Sequence, residues 1–168
     1  MTPGFHWTLR PSVKEDDPAL KAFPAALPLL VKQLLLQRGF KGGAETELFL
    51  EPRLSHLSDP FLMGEMGAAV ERIFRAVDAG ETVCIYGDYD VDGVTATAIL
   101  IRYLRSRGAE CQYYIPDRMN EGYGLNTGAI RKLAEDGCRL MVTVDSGITA
   151  VEETLLAQIL GMGVVITD

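Results

Sequence analysis

The sequence has no surplus of basic residues: 16 lysines and arginines stand against 23 aspartates and glutamates, a net charge of −7. That balance excludes a protein that grips nucleic acid over its whole surface, while leaving room for a local basic groove or an acidic metal site. Cysteine is scarce. Cys84, Cys111 and Cys138 are odd in number, far apart, and set in or beside apolar runs. They read as buried, reduced residues of a cytosolic protein, which argues against a disulfide framework or a zinc site. The opening "MTPGFHWTLRPSVKEDD" lacks the basic and then apolar segments of a secretion signal. The most apolar window, "FPAALPLLVKQLLLQRGF", is broken by Pro24, Pro28 and Lys32, too short and too interrupted to span a bilayer. A cytoplasmic protein with no membrane contact is expected. The two histidines, His6 and His56, lie far in sequence from the aspartates discussed below and are given no metal role; Trp7 is expected to pack the N-terminal segment onto the core.

What remains is a chain of 168 residues, 48% hydrophobic and 23% charged, which suits one ordinary domain with a short appendage. Residues 1–23 read as irregular. A helix is expected over 25–38, with Leu27, Leu30, Leu34 and Val31 on one face and Gly39 as its stop. A short helix follows at 45–50, closed by Pro52. A stronger one spans 65–79, where Met66, Ala69, Val70, Ile73, Phe74 and Val77 keep the 3.6-residue period. Beyond Gly80 the pattern changes to apolar strand-like runs alternating with helices: strands 82–86, 111–115, 140–144 and 164–167, helices 93–106, 126–136 and 149–160. Such alternation predicts an α/β fold, a Rossmann-like, mainly parallel sheet with helices on both faces, preceded by a helical N-terminal segment.

The strand ends carry the chemistry. "TVCIY" runs at once into Gly87-Asp88-Tyr89-Asp90-Val91-Asp92, "LMVTV" into Asp145, and "VVIT" into Asp168. In a parallel sheet the strand C-termini share one edge, where open α/β folds place their sites. Carboxylates from separate strands are therefore expected to converge on one rim. Single aspartates serve as helix caps, but crowded like charges cost free energy unless a cation or a shared proton relieves them.

Several chemistries meet such a cluster. Asp88-x-Asp90-x-Asp92-Gly93 opens like an EF-hand loop, yet the twelfth position, which needs a bidentate Glu, is Ile99. A dinucleotide site is excluded because the first βα turn has no G-x-G-x-x-G and its carboxylates would repel a pyrophosphate. Aspartyl-phosphate chemistry stays open: "DVDGVT" is similar to the first motif of haloacid dehalogenase-type phosphatases, with Asp90 as nucleophile and Asp92 as acid/base, although Val94 stands where that motif has Thr. The other reading is a two-metal hydrolase, in which Asp145 bridges two ions about 3.5–4 Å apart that activate water and steady a phosphate displacement. Oxygen ligands suit Mg²⁺ or Mn²⁺.

"YGDYDVDGVTATAIL", "VTVDSGITA" and the terminal "VVITD" resemble motifs I, II and the start of III of the DHH phosphoesterase superfamily. Within it, together with "YIPDRMNEGYGLN" and the lead-in "LLLQRGF…FLEPRLSHLSDPF", the chain resembles the exonucleases that degrade single-stranded DNA from the 5′ end. The resemblance implies a site of Asp88, Asp90, Asp92, Asp145 and Asp168. Asp90, Asp92 and Asp145 are its metal ligands, Asp88 an outer partner that orients them, and Asp168 the first letter of Asp-His-His. Two Mn²⁺ or Mg²⁺ ions are implied for the complete enzyme. Tyr86 stands where many members carry a histidine ligand. Residues 1–80 are then a largely helical extension, and 81–168 the N-terminal part of the phosphoesterase domain, stopping at motif III. Such a piece is expected to be inactive and to hold metal weakly. Implied partners are single-stranded DNA, a single-strand-binding protein and a helicase. Alternatives are a phosphodiesterase for short oligonucleotides or cyclic dinucleotides, and a non-catalytic DNA-binding or replication-factor-binding scaffold.

Two further elements bear on nucleic acid. Arg118 and Tyr123, in a glycine-containing loop, suit a phosphate contact and a base stack along a single strand, against the plainer reading that Tyr123 simply packs. Arg102, Arg105 and Arg107 read as a solvated helix face, and Ser146-Gly147 as a tight turn capping the next helix.

Overall fold

A computed structural model describes Thr8, Pro11 and residues 13–168, so His6 and Trp7 lie outside the described residues. The chain divides into two compact units, Met1–Asp59 and Pro60–Asp168. In the first, a 3-10 helix at Pro18–Ala22 is followed by α1 (Leu29–Gln37), α2 (Ala44–Leu50) and a 3-10 turn at Leu54–His56. Leu20, Phe23 and Leu35 are buried there. Helix α1 starts four residues later than its apolar run does, because Pro28 at its N-cap disfavours helical geometry in Leu27. The expected face is corrected as well: Leu30 and Leu34 are 65% and 41% exposed, whereas Leu35 is 4% exposed.

The second unit holds α3 (Met66–Asp78), β1 (Val83–Tyr86), α4 (Val91–Ser106), β2 (Cys111–Tyr114), α5 (Thr127–Glu135), β3 (Leu140–Val144), α6 (Val151–Ile159) and β4 (Gly163–Thr167). The four strands are all parallel, in the order β2-β1-β3-β4. Period-two alternation sends successive side chains of the central strands to opposite faces. Val83, Ile85, Leu140, Val142 and Val144 pack with Ala76 of α3 and with Ile101 and Leu104 of α4. Cys84, Tyr86 and Met141 pack with Ala129, Ile130 and Leu133 of α5 and with Ala157 of α6. Both faces are thus covered, which is why β1 and β3 read as unbroken apolar runs. Helix α3 belongs to this unit and contributes to the sheet's core although it precedes the first strand. The three cysteines are free and buried.

This order creates a switch point. From β1 the chain crosses to β2 on one side, while β3 lies on the other, so the loops leaving β1 and β3 diverge and open a crevice between them at the C-terminal edge.

The β1–α4 turn that borders the crevice is tight. A Cβ at Gly93 would stand 2.5 Å from the Asp88 carbonyl oxygen, and one at Gly87 would stand 2.1 Å from Thr97 Oγ1. Gly93→Ala is therefore expected to destabilise the chain by about 1–3 kcal/mol through a forced backbone shift. Gly67→Ala, in the open first turn of α3, is expected to be neutral or to stabilise by a few tenths of a kcal/mol. Thermal denaturation followed by circular dichroism distinguishes the two, and an unchanged midpoint for Gly93→Ala would contradict the close approach.

Candidate metal centre

The turn after β1 distributes its aspartates unequally. Asp88 is 1% exposed, and neither of its carboxylate oxygens has a hydrogen-bond partner among the described residues. Asp90 is the N-cap of α4: its Oδ1 accepts from the backbone N–H of Asp92 at 3.0 Å and of Gly93 at 3.1 Å. Those donors hold Asp90 below the ordinary carboxylate range, the Gly93 amide chiefly. Asp92 is exposed in the first turn of α4, where a negative charge suits the helix dipole.

Asp145 follows β3 directly. Among the described residues it is the one non-glycine with a left-handed backbone, at φ 57°. Aspartate tolerates that region better than most residues, and such strain concentrates at functional sites. Its side chain turns into the crevice. One carboxylate oxygen each from Asp88, Asp90 and Asp145 lies within 4.8 Å of the others. Partial burial, then the hydrogen bond to Asp90, then the charges of Asp90, Asp92 and Asp88 push Asp145 above the usual carboxylate range. Of this hydrogen-bonded pair, Asp145 is thus the carboxyl held above its ordinary range and Asp90 the one held below it. Asp168 lies across the loop, its Oδ2 accepting from the backbone N–H of Ile148 at 2.9 Å.

These residues fit a divalent cation. A buried carboxylate with no donor is costly unless a cation meets it, and an all-oxygen set suits Mg²⁺ or Mn²⁺. Of the expected ligands, Asp90 and Asp145 are in the group and Asp92 is outside it. Asp88, expected as an outer partner, is inside. Sequence alternation does not foresee this division, because the chain enters a helix at Val91 and Asp92, in its first turn, falls outside the group. Tyr86 is fully buried outside the group; its hydroxyl donates to the Gly124 carbonyl and accepts from Asn126 Nδ2, each at 3.2 Å.

Residues 115–126 run beside the crevice and are held by one acid. Glu121 accepts from the Tyr114 hydroxyl, from the Asp117 backbone N–H at 2.7 Å and from Asn126 Nδ2 at 3.1 Å. Together these donors keep it below its ordinary range, while burial and Glu121 push Tyr114 up to about 12. At the loop tip, the Tyr123 hydroxyl donates to the Asp145 backbone carbonyl at 3.3 Å. Burial, followed by the charges of Asp88, Asp145, Asp168 and Asp90, raises its pKa and keeps it a phenol. Arg118 lies over the ring of Tyr89, 5.3 Å from its centroid. Sequence reasoning picks out Arg118 and Tyr123 but misses Tyr89, Glu121 and Asn126. An aromatic between two clustered aspartates is the available signal for Tyr89. Elsewhere, Arg105 is tied to the Cys111 carbonyl through Nε and Nη2, at 3.1 and 2.8 Å, leaving Arg102 and Arg107 exposed. Contrary to expectation, Ser146 does not cap the next helix: α6 begins at Val151 with Ala150 at its N-cap and no side-chain bond there.

Comparison with known proteins gives a consistent picture. The model of the "DHH family, N-terminal domain" matches residues 82–168. The chain is 45% identical over 157 residues to the single-stranded-DNA-specific exonuclease RecJ of Bacillus subtilis, covering 92% of this chain and 20% of that protein. It is 39% identical over 146 residues to RecJ of Dickeya dadantii, covering 86% and 25%. The chain thus spans a fifth to a quarter of the length of these curated relatives. Among solved structures, exonuclease RecJ bound to manganese superposes with a TM-score of 0.57 at 38% identity, covering 60% of this chain and 26% of that one. RecJ of Thermus thermophilus in complex with Mn²⁺ does so with a TM-score of 0.59 at 29% identity, covering 89% and 19%. The acidic rim between β1 and β3 lies inside the matched segment, and the chain belongs to the DHH family.

Proposed function

We propose that this chain carries the metal-binding half of a RecJ-type exonuclease, which hydrolyses phosphodiester bonds of single-stranded DNA from the 5′ end. The observation that supports it most is the buried carboxylate of Asp88, without a hydrogen-bond partner among the described residues and brought against Asp90 and Asp145 at the switch point of a parallel sheet. Asp88, Asp90 and Asp145 would hold a first Mn²⁺ or Mg²⁺. Asp92, whose charge already reaches Asp145, and Asp168 would serve a second ion in a protein of the relatives' length. The bound ions would supply activated water and stabilise charge on the phosphate oxygens. The chain's own residues would do the holding: Asp90 both caps α4 and joins the group, Asp145 would meet the ion as an anion, and the Arg118 guanidinium and the Tyr123 ring are set for a phosphate and a base. This segment alone is proposed to be inactive and to bind metal weakly. Single-stranded DNA is the partner this reading implies, with a single-strand-binding protein and a helicase as its companions. A reducing, cytoplasmic setting suits the three free cysteines; among the described residues no helix is long and apolar enough to cross a membrane.

Three outcomes are expected. Titration calorimetry with Mn²⁺ shows weak binding that strengthens as pH rises from the acid side, because the ion displaces the proton on Asp145, whose pKa lies above the ordinary value. Binding that is independent of pH throughout the acid range would contradict that proton exchange. Asp88→Asn removes the Mn²⁺ effect and raises the metal-free stability by about 1 kcal/mol, since a neutral amide relieves the buried charge; a lower melting temperature without metal would argue that Asp88 is structurally paired after all.

The third experiment uses single-stranded DNA labelled at either end. A form extended beyond Asp168 to the relatives' length should release mononucleotides from the 5′ end, and EDTA or Asp145→Ala should abolish the release. This chain alone should release none. No cleavage by either form, with DNA binding retained, would sink the nuclease reading.

A further inference from the structure

Tyr89 stands between Asp88 and Asp90, so its peptide is carried by two members of the three-carboxylate group. Its ring is where the neighbouring loop meets that group. The guanidinium carbon of Arg118 lies 5.3 Å from the ring centroid. Tyr123 approaches the same ring edge-on, with centroids 6.2 Å apart and planes at 84°. Through its hydroxyl, Tyr123 also reaches the Asp145 carbonyl. Residues 115–126 are therefore fastened to both arms of the crevice, and on the β1 arm the fastening runs through Tyr89. No ion pair among the described residues involves Arg118, so the tyrosine face is what orients its charge.

We propose that Tyr89 is a positioning residue that couples occupation of the metal centre to the placement of Arg118 and Tyr123. This rests on the metal-site reading above. A cation that fixes the carboxylates of Asp88 and Asp90 fixes the peptide between them, and with it the plane of the Tyr89 ring. Arginine stacks on a flat aromatic face and gains nothing from one that wanders. The contacts form without a cation, but repulsion among the three carboxylates then works against the turn, so the ring is held less firmly and the loop opens more often. Exposed loops open locally at small free-energy cost, so a single stack of this kind changes how often this one opens.

Hydrogen exchange of this chain, with EDTA or with a large excess of Mg²⁺, tests the coupling. In the wild type, Mg²⁺ is expected to slow exchange in residues 87–93 and, by roughly two- to fivefold, in residues 117–124. Tyr89→Phe keeps the ring face and should keep both effects. Tyr89→Ala and Arg118→Ala should keep the first and lose the second. Where Tyr89→Ala fails to fold, Arg118→Ala decides, because Arg118 is exposed on the loop. Slowing of 117–124 that survives in these variants overturns the coupling, as does slowing confined to 87–93 in the wild type. If Mg²⁺ leaves 87–93 of the wild type unchanged, the metal-site reading itself falls and the coupling goes with it.

Discussion

Repulsion among Asp88, Asp90 and Asp145 is the constraint around which this molecule is arranged. Isolated in water, three carboxylates would separate; here the hydrogen-bonded ladder between β1 and β3 holds their backbones side by side. The strand order decides that the loops diverge at that place, so the charges sit in a crevice open to an ion. The fully buried strands beneath them provide the rigidity: a site of like charges needs a scaffold that does not yield, and a two-faced apolar core is one.

The charges are also graded. Asp90 is stabilised as an anion by two backbone amides, Asp145 is pushed toward its protonated form, and Asp88 is enclosed without a donor among the described residues. Three residues of one type are thereby given three environments by one turn and one strand end, a separation of roles set by surroundings alone. Around them the 115–126 loop is knit to the same elements by Glu121, Tyr86 and the Tyr89–Arg118 stack.

Much of this can be read in the sequence, for reasons that explain the exceptions. Strands β1 and β3 are buried on both faces, so their apolar runs are unambiguous, and every α-helix and strand of the Pro60–Asp168 unit lies within two residues of its expected bounds. Helix α1 departs from its expected start because proline geometry overrides a hydrophobic run. The convergence of Asp90 and Asp145 follows from strand direction, which a pattern reveals. That Asp88 joins them in the group and Asp92 does not is hidden from a pattern, since it depends on where the backbone turns from extended to helical. Tyr89, Glu121 and Asn126 escape a sequence reading because each acts through a loop whose path no periodicity records.

The double engagement of Asp90 has a consequence for how its role can be dissected. Its Oδ1 accepts from two amides at the helix start, and its carboxylate is also a member of the three-aspartate group. Asparagine caps a helix about as well as aspartate does, so Asp90→Asn subtracts charge while sparing architecture. Alanine subtracts both at once. A variant series at this single position therefore separates scaffold from chemistry, which changes at the entirely buried Asp88 cannot do.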